Sequence, residues 1–213
     1  MKYNLDKFLR LKLENVKKKK EKFLTVALLF FSLVGFSQNH QQHQRPSLAE
    51  VEKFIETNMA SPEHAAKFGR LVIQDAGGRM KPINTFSSEL LRKVSKSDTY
   101  KNYTSDQVFL SMSQVPNAWF EVPLVYLKKG NDSIRKILNI DKEAKYAPFI
   151  SFFDEKGNYK LEPYLEQAFN ATIPNQFQKD FIEADKKVVL LNSALSGSIL
   201  RIFPIPNDEN NKW

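Results

Sequence analysis

The chain has 213 residues, a formal net charge of +8 and no cysteine, which excludes internal disulfides, thiol nucleophiles and cysteine metal sites. Nine Lys or Arg against three acidic residues in the first 37 positions account for +6 of that charge. Only +2 remains for positions 38–213, which argues against a nucleic-acid-binding surface.

Lys17 to Lys20 and Lys22 form a basic block ahead of an apolar segment, FLTVALLFFSLVGF, at 23–36. As a helix it reaches about 21 Å, short against a hydrocarbon core of about 30 Å. Gly35 and Ser37 are small residues ahead of a cut at Gln38. Residues 1–37 are therefore read as a signal peptide, with a retained N-terminal membrane anchor as the alternative. Residues 38–46 are a polar, glutamine-rich linker. His40 and His43 have no cysteine or carboxylate beside them, so no metal site is assigned.

From 47 to 213 the pattern predicts one α+β domain, mainly helical with short strands. Ser47 and Glu50 predict a capping box ahead of a helix whose face carries Leu48, Val51, Phe54 and Ile55. Ser61 and Pro62 start a second helix. His64 in its first turn is read as solvated or hydrogen-bonded, with haem ligation or proton transfer as the alternative.

The stretch from His64 to Val94 is the most informative. Leu71 to Gln74 reads as a strand, and Asp75, Gly77 and Gly78 as a tight turn. Arg79 to Lys81 begins a return strand that Pro82 stops. Thr85 is the expected cap of a helix carrying Phe86, Leu90, Leu91 and Val94. Arg79, Lys81, Asn84 and Thr85 thus gather at one turn and one helix start, where two cations and backbone N–H groups suit an anion or an acidic side chain. The structural alternative is that Arg79 pairs with Asp75 and pins the turn. Glu89 and Arg92, three apart, read as a surface pair.

Tyr100 and Tyr103 fall in a polar loop. Thr104 and Gln107 predict a capping box before Val108, Phe109, Leu110 and Met112. Residues 115–123 read as an ordered connection in which Trp119 either lines a ligand surface or closes the core. A strand is expected at 124–127, a helix from Asp132 or Ser133, an apolar patch at 147–153, a turn at 154–158 and a helix at 162–170. The longest helix starts at Asn175, with a stripe of Phe177, Phe181, Ala184, Val188, Leu191 and Leu195. Asp180, Glu183, Asp185, Lys186 and Lys187 are expected mainly on its other side. Ser196-Gly197 ends it, and Ile199 to Phe203 reads as a last strand.

The chain contains no GxGxxG, phosphate-loop lysine, HExxH, CxxC or Gly-x-Ser-x-Gly motif, so the isolated chain is not expected to be catalytic. Three strings in order, FGRLVIQDAGGRMKPINTFSSELLRKV, TSDQVFLSM and SGSILRIFPIPNDENNKW, carry a family resemblance. They resemble the extracytoplasmic segment of the fused system II haem-export and cytochrome c synthetase proteins of Bacteroidetes-like bacteria, over residues 60–213. The resemblance implies a nonenzymatic module, periplasmic or facing the periplasm at the inner membrane. It would support haem delivery or apocytochrome handling in cytochrome c maturation. The implied partners are a membrane haem lyase or a missing carboxyl-terminal membrane component, and apocytochrome c. Haem would belong to that larger assembly, with no cofactor bound by the isolated chain. The chain departs from the family in lacking its many spanning helices and its tryptophan-rich segment, having only Trp119 and Trp213. No family haem-ligand histidine maps onto His40, His43 or His64. A secreted anion- or protein-binding domain and a truncated structural remnant of the synthetase are the alternatives.

Overall fold

The computed structural model describes residues 45–75 and 77–209. The signal or anchor reading of 1–37 and the linker histidines His40 and His43 lie outside them. Among the described residues no helix is long and apolar enough to cross a membrane.

In chain order the elements are α1 (Leu48–Thr57), α2 (Pro62–Gly69), β1 (Val72–Gln74), β2 (Met80–Pro82) and α3 (Ile83–Ser95). Then come β3 (Thr99–Tyr100), β4 (Tyr103–Thr104), α4 (Ser105–Gln114), α5 (Pro116–Trp119) and β5 (Pro123–Tyr126). The last are α6 (Asp132–Leu138), β6 (Tyr146–Pro148), a 3-10 turn (Phe149–Phe152), α7 (Glu162–Asn170) and α8 (Gln176–Leu195). The fold is α+β, with the helices forming the core and three separate antiparallel pairs, β1–β2, β3–β4 and β5–β6, attached to it.

Local chemistry explains most boundaries. The Ser47–Glu50 and Thr104–Gln107 capping boxes both form, and a third forms at Asn175–Gln178, each satisfying orphan amides at a helix start. Ser61 accepts from the His64 amide with Pro62 in the first helical turn, as expected. α3 starts at Ile83 rather than after Thr85. Pro82 holds φ at −63°, and the Ile83 N–H donates to Leu71 O at 2.8 Å, so no side-chain cap is used.

α3 is the central helix. Ile83, Phe86, Ser87, Leu90, Leu91, Val94 and Ser95 are buried, at spacings of three and four. This face packs against α2, α4, α8 and β5. Leu90 and Leu91 lie among the fully buried side chains, and truncating either to alanine would cost about 2–5 kcal/mol.

Three expectations are corrected. Tyr100 and Tyr103 are not in a loop but face each other across the β3–β4 hairpin, whose tip places Lys101 at φ 51°. Ile199 to Phe203 is not a strand. Its one bond to β1 runs from the Gln74 N–H to Arg201 O at 3.0 Å, while the Arg201 N–H turns back to Ile199 O at 2.9 Å. The prolines that follow at 204 and 206 carry no N–H to extend a ladder. On α8, Asp180 and Lys187 are buried rather than solvated. They are seven residues apart, on one flank of the apolar stripe, where the helix still meets its neighbours.

Candidate functional site

The β1–β2 turn is built by Asp75. Its Oδ1 accepts from the amides of Gly77 and Arg79, both at 2.9 Å, and its own N–H donates to Arg79 O at 2.8 Å. Gly78 follows at φ 79°, a conformation that favours glycine. These amides, the Arg79 amide foremost, hold the Asp75 carboxyl below its usual range. The Asp75–Arg79 link expected from the sequence therefore exists through the Arg79 backbone. The Arg79 guanidinium makes no hydrogen bond or ion pair among the described residues, and the residue is exposed.

Lys81 is committed differently. Its Nζ lies 2.9 Å from Glu89 Oε2 and 3.8 Å from Asp75 Oδ2, bridging the turn to the first half of α3. Lys81 pulls the Glu89 carboxyl below its usual range. Glu89 thus pairs with Lys81, not with Arg92 as the helical spacing suggested. Asn84 and Thr85 sit on the exposed first turn of α3, joined by a 3.2 Å bond from Thr85 Oγ1 to Asn84 Oδ1. Asp75, Gly77, Gly78, Arg79 and Lys81 share the hairpin, which Lys81 ties to Glu89, whereas among the described residues no hydrogen bond or ion pair joins the Asn84 and Thr85 side chains to it. Two carboxylates balance the two cations there, so the cluster explains itself as a pinned turn, with Arg79 left over.

Trp119 lies apart from this cluster. It is completely buried, its Nε1–H donates to Ser111 Oγ at 3.0 Å, and the Tyr100 ring meets it at 5.3 Å and 67°. This is the core placement weighed for it, and in this structure it presents no face to a ligand.

The most demanding polar chemistry sits elsewhere, where β5 leaves its pair. Lys187 Nζ donates to Tyr126 O at 2.8 Å and lies 5.0 Å from the Tyr126 ring centre. Arg135 donates to Leu127 O, Lys128 O, Asn131 O and Ala144 O at 2.9–3.3 Å. Two buried cations thus hold three successive carbonyls and two more, one on each side of α6. Glu183 Oε1 pairs with Lys187 at 2.8 Å and is held below its usual range by it, while burial pushes Lys187 down. Sequence reasoning missed both cations. Arg135 sits next to Ile134 and three residues before Leu138, within an apolar face; a charged residue inside such a face was the available signal.

Among the described residues no group of three or more His, Asp or Glu could hold a metal ion. His64 is exposed in the first turn of α2. No protein-family model matches the chain. Over 162 residues, 74% of this chain, it is 32% identical to Protein NrfI of Wolinella succinogenes, and it spans 17% of that relative's length.

Proposed function

We propose that this chain is a nonenzymatic extracytoplasmic module of cytochrome c maturation, working beside a membrane haem lyase or a separate membrane component of the same system. The observation that carries the reading is the likeness to Protein NrfI, which runs across 74% of the chain and supports involvement in cytochrome c maturation. The three strings that resemble system II proteins lie in the same domain. In this reading the domain sits on the periplasmic face of the inner membrane, presents surfaces to apocytochrome or to the membrane component, and leaves haem to the larger assembly.

The surface chemistry suits a docking role. Leu71, Val72 and Met80 leave large apolar side chains exposed on and beside the β1–β2 hairpin. The segment bonded to the edge of β1 through Arg201 O carries two more, Phe203 and Ile205.

Deletion of the gene tests the reading. Covalently bound haem in the periplasmic fraction, measured by haem staining and pyridine haemochrome spectra, should fall and should return with the full chain. Unchanged covalent haem in the deletion strain would sink the assignment. The purified chain, mixed with reduced apocytochrome and haem, should yield no thioether product above background. Efficient attachment without another protein would overturn the nonenzymatic part.

A further inference from the structure

A cavity of about 330 Å³ opens between α1 and the β3–β4 hairpin, at the lower end of the size range of small-ligand sites. Glu52 and Glu56 enter it from α1, four residues apart and so on one face, with buried Ile55 between them. Tyr100 and Tyr103 enter it from the hairpin as directly paired residues, so their rings project from the same side. Tyr100 is backed by the buried Trp119, which fixes that wall.

Half of the cavity is already a filled cation site. Lys101 Nζ lies 2.8 Å from Glu52 Oε2 and 5.8 Å from the centre of the Tyr100 ring, and the Tyr100 hydroxyl donates to Glu52 Oε1 at 3.0 Å. The other half offers the same two elements without the cation. Glu56 supplies a carboxylate with no hydrogen bond or ion pair among the described residues, and Tyr103 supplies the second ring. Two carboxylates against one ammonium leave the lining net negative, so an anion such as a haem propionate is disfavoured there.

We propose that this cavity takes the ammonium or guanidinium of one Lys or Arg side chain from a partner polypeptide. Glu56 is its counter-ion, Tyr103 the ring beside it, and Ile55 the apolar floor under its alkyl stem. The inference rests on the proposed function only for the source of the cation, a polypeptide; the pocket chemistry stands without it. A single exposed charge pair and one cation–π contact are each weak, so an isolated peptide should bind with Kd of about 1 mM.

The test titrates the full chain with acetyl-Gly-Gly-Arg-Gly-Gly-amide, followed by amide chemical shifts around the hairpin and, in a Trp213→Phe background, by Trp119 fluorescence. The same peptide with Gln in place of Arg, and free arginine amide, are the other two arms. The arginine peptide should saturate and the glutamine peptide should not, while free arginine amide, which offers the same side chain, should compete with the peptide. Glu56→Gln, which changes an exposed residue, should melt like the parent and weaken the arginine peptide by about two- to fivefold. Tyr103→Leu should weaken it by a smaller factor. Equal binding of the Arg and Gln peptides, an unaffected Glu56→Gln, or no saturation at tens of millimolar would overturn the site. Failure of arginine amide to compete would overturn recognition through the side chain. The haem measurement in the deletion strain is independent of all these arms, so either proposal can fail alone.

Discussion

Two pairs of cations invite comparison: Arg79 and Lys81 at the β1–β2 turn, and Arg135 and Lys187 where β5 ends. The first pair sits beside glycines in a polar stretch, and Lys81 finds its partners in carboxylates at 2.9 and 3.8 Å while Arg79 finds none within ion-pair distance among the described residues. The second pair is 4–5% exposed, and most of its partners are backbone carbonyls that the sheet leaves behind. A cation's role here follows from what surrounds its head group. Solvent leaves it available, whereas orphaned carbonyls commit it to the fold.

The sharpest way to break the comparison is Arg135→Ala. Its loss strips four buried or half-buried carbonyls of a charged donor, and a destabilisation of about 3 kcal/mol or more is expected in urea unfolding. Arg135→Lys should recover only a fraction, because one ammonium cannot fork to the same set. Unfolding at the parent's urea midpoint in Arg135→Ala would end the argument that this cation holds the fold.

Lys187→Met should cost less, about 1 kcal/mol, because the stem stays packed and a buried charge is relieved as its bonds are lost. Its partner adds a pH test. The Glu183 carboxyl is held below its ordinary value of 4.5, chiefly by the hydrogen bond from Lys187. Its contribution to stability is therefore complete above the unfolded value and is lost as pH falls through the lower folded one. Glu183→Gln should be less stable than the parent at pH 7, and the gap should close on acidification below pH 4.5. A gap that widens there would mean that the pairing has been read with the wrong sign.

The smallest effects belong to the turn. Asp75→Ala should lower the melting temperature by less than Lys187→Met does, since it frees two amides that water can reach. Arg79→Ala should stay within about 0.5 kcal/mol of the parent, because the guanidinium of this exposed residue makes no hydrogen bond or ion pair among the described residues. A clear fall in Arg79→Ala stability would restore the structural reading of its side chain. Loss of membrane-partner pull-down without that fall would make Arg79 the recognising residue of the turn.

The helices were legible because their signals are local. Ser47–Glu50, Thr104–Gln107 and the stripe from Phe181 to Leu195 need only neighbours within one or two turns. The Asp75 turn was legible for the same reason. What the sequence hid was set at long range. Lys187 is in place because Tyr126, 61 residues away, has a carbonyl to fill. Ile199 to Phe203 has the composition of a strand, yet it finds only one bond on the edge of β1. Thr85 has the chemistry of a cap, but Leu71 O had already taken the first amide of the helix. Of the candidate site, the link between Asp75, Arg79 and Lys81 was readable, whereas no bond places Asn84 and Thr85 with them. The pocket between α1 and the hairpin was not, because Glu56 and Tyr103 meet only through tertiary packing.

Gly69, the last residue of α2, carries a consequence for how this domain can drift over evolutionary time. A Cβ built there would collide with the Asp106 carboxylate and come within 3.2 Å of Asn84 Cβ. Asp106 cannot simply swing aside, because it also accepts the Ser87 hydroxyl from buried α3. Three helices therefore share one hydrogen atom's worth of clearance. A lineage that gains alanine at 69 would have to move or shorten the side chain at 106, and Ser87 would fall back on Asn84 O at 3.0 Å and Ser105 Oγ at 3.4 Å. Positions 69 and 106 should change together or stay fixed together, giving an inheritance pattern that sequences of true relatives can be checked against.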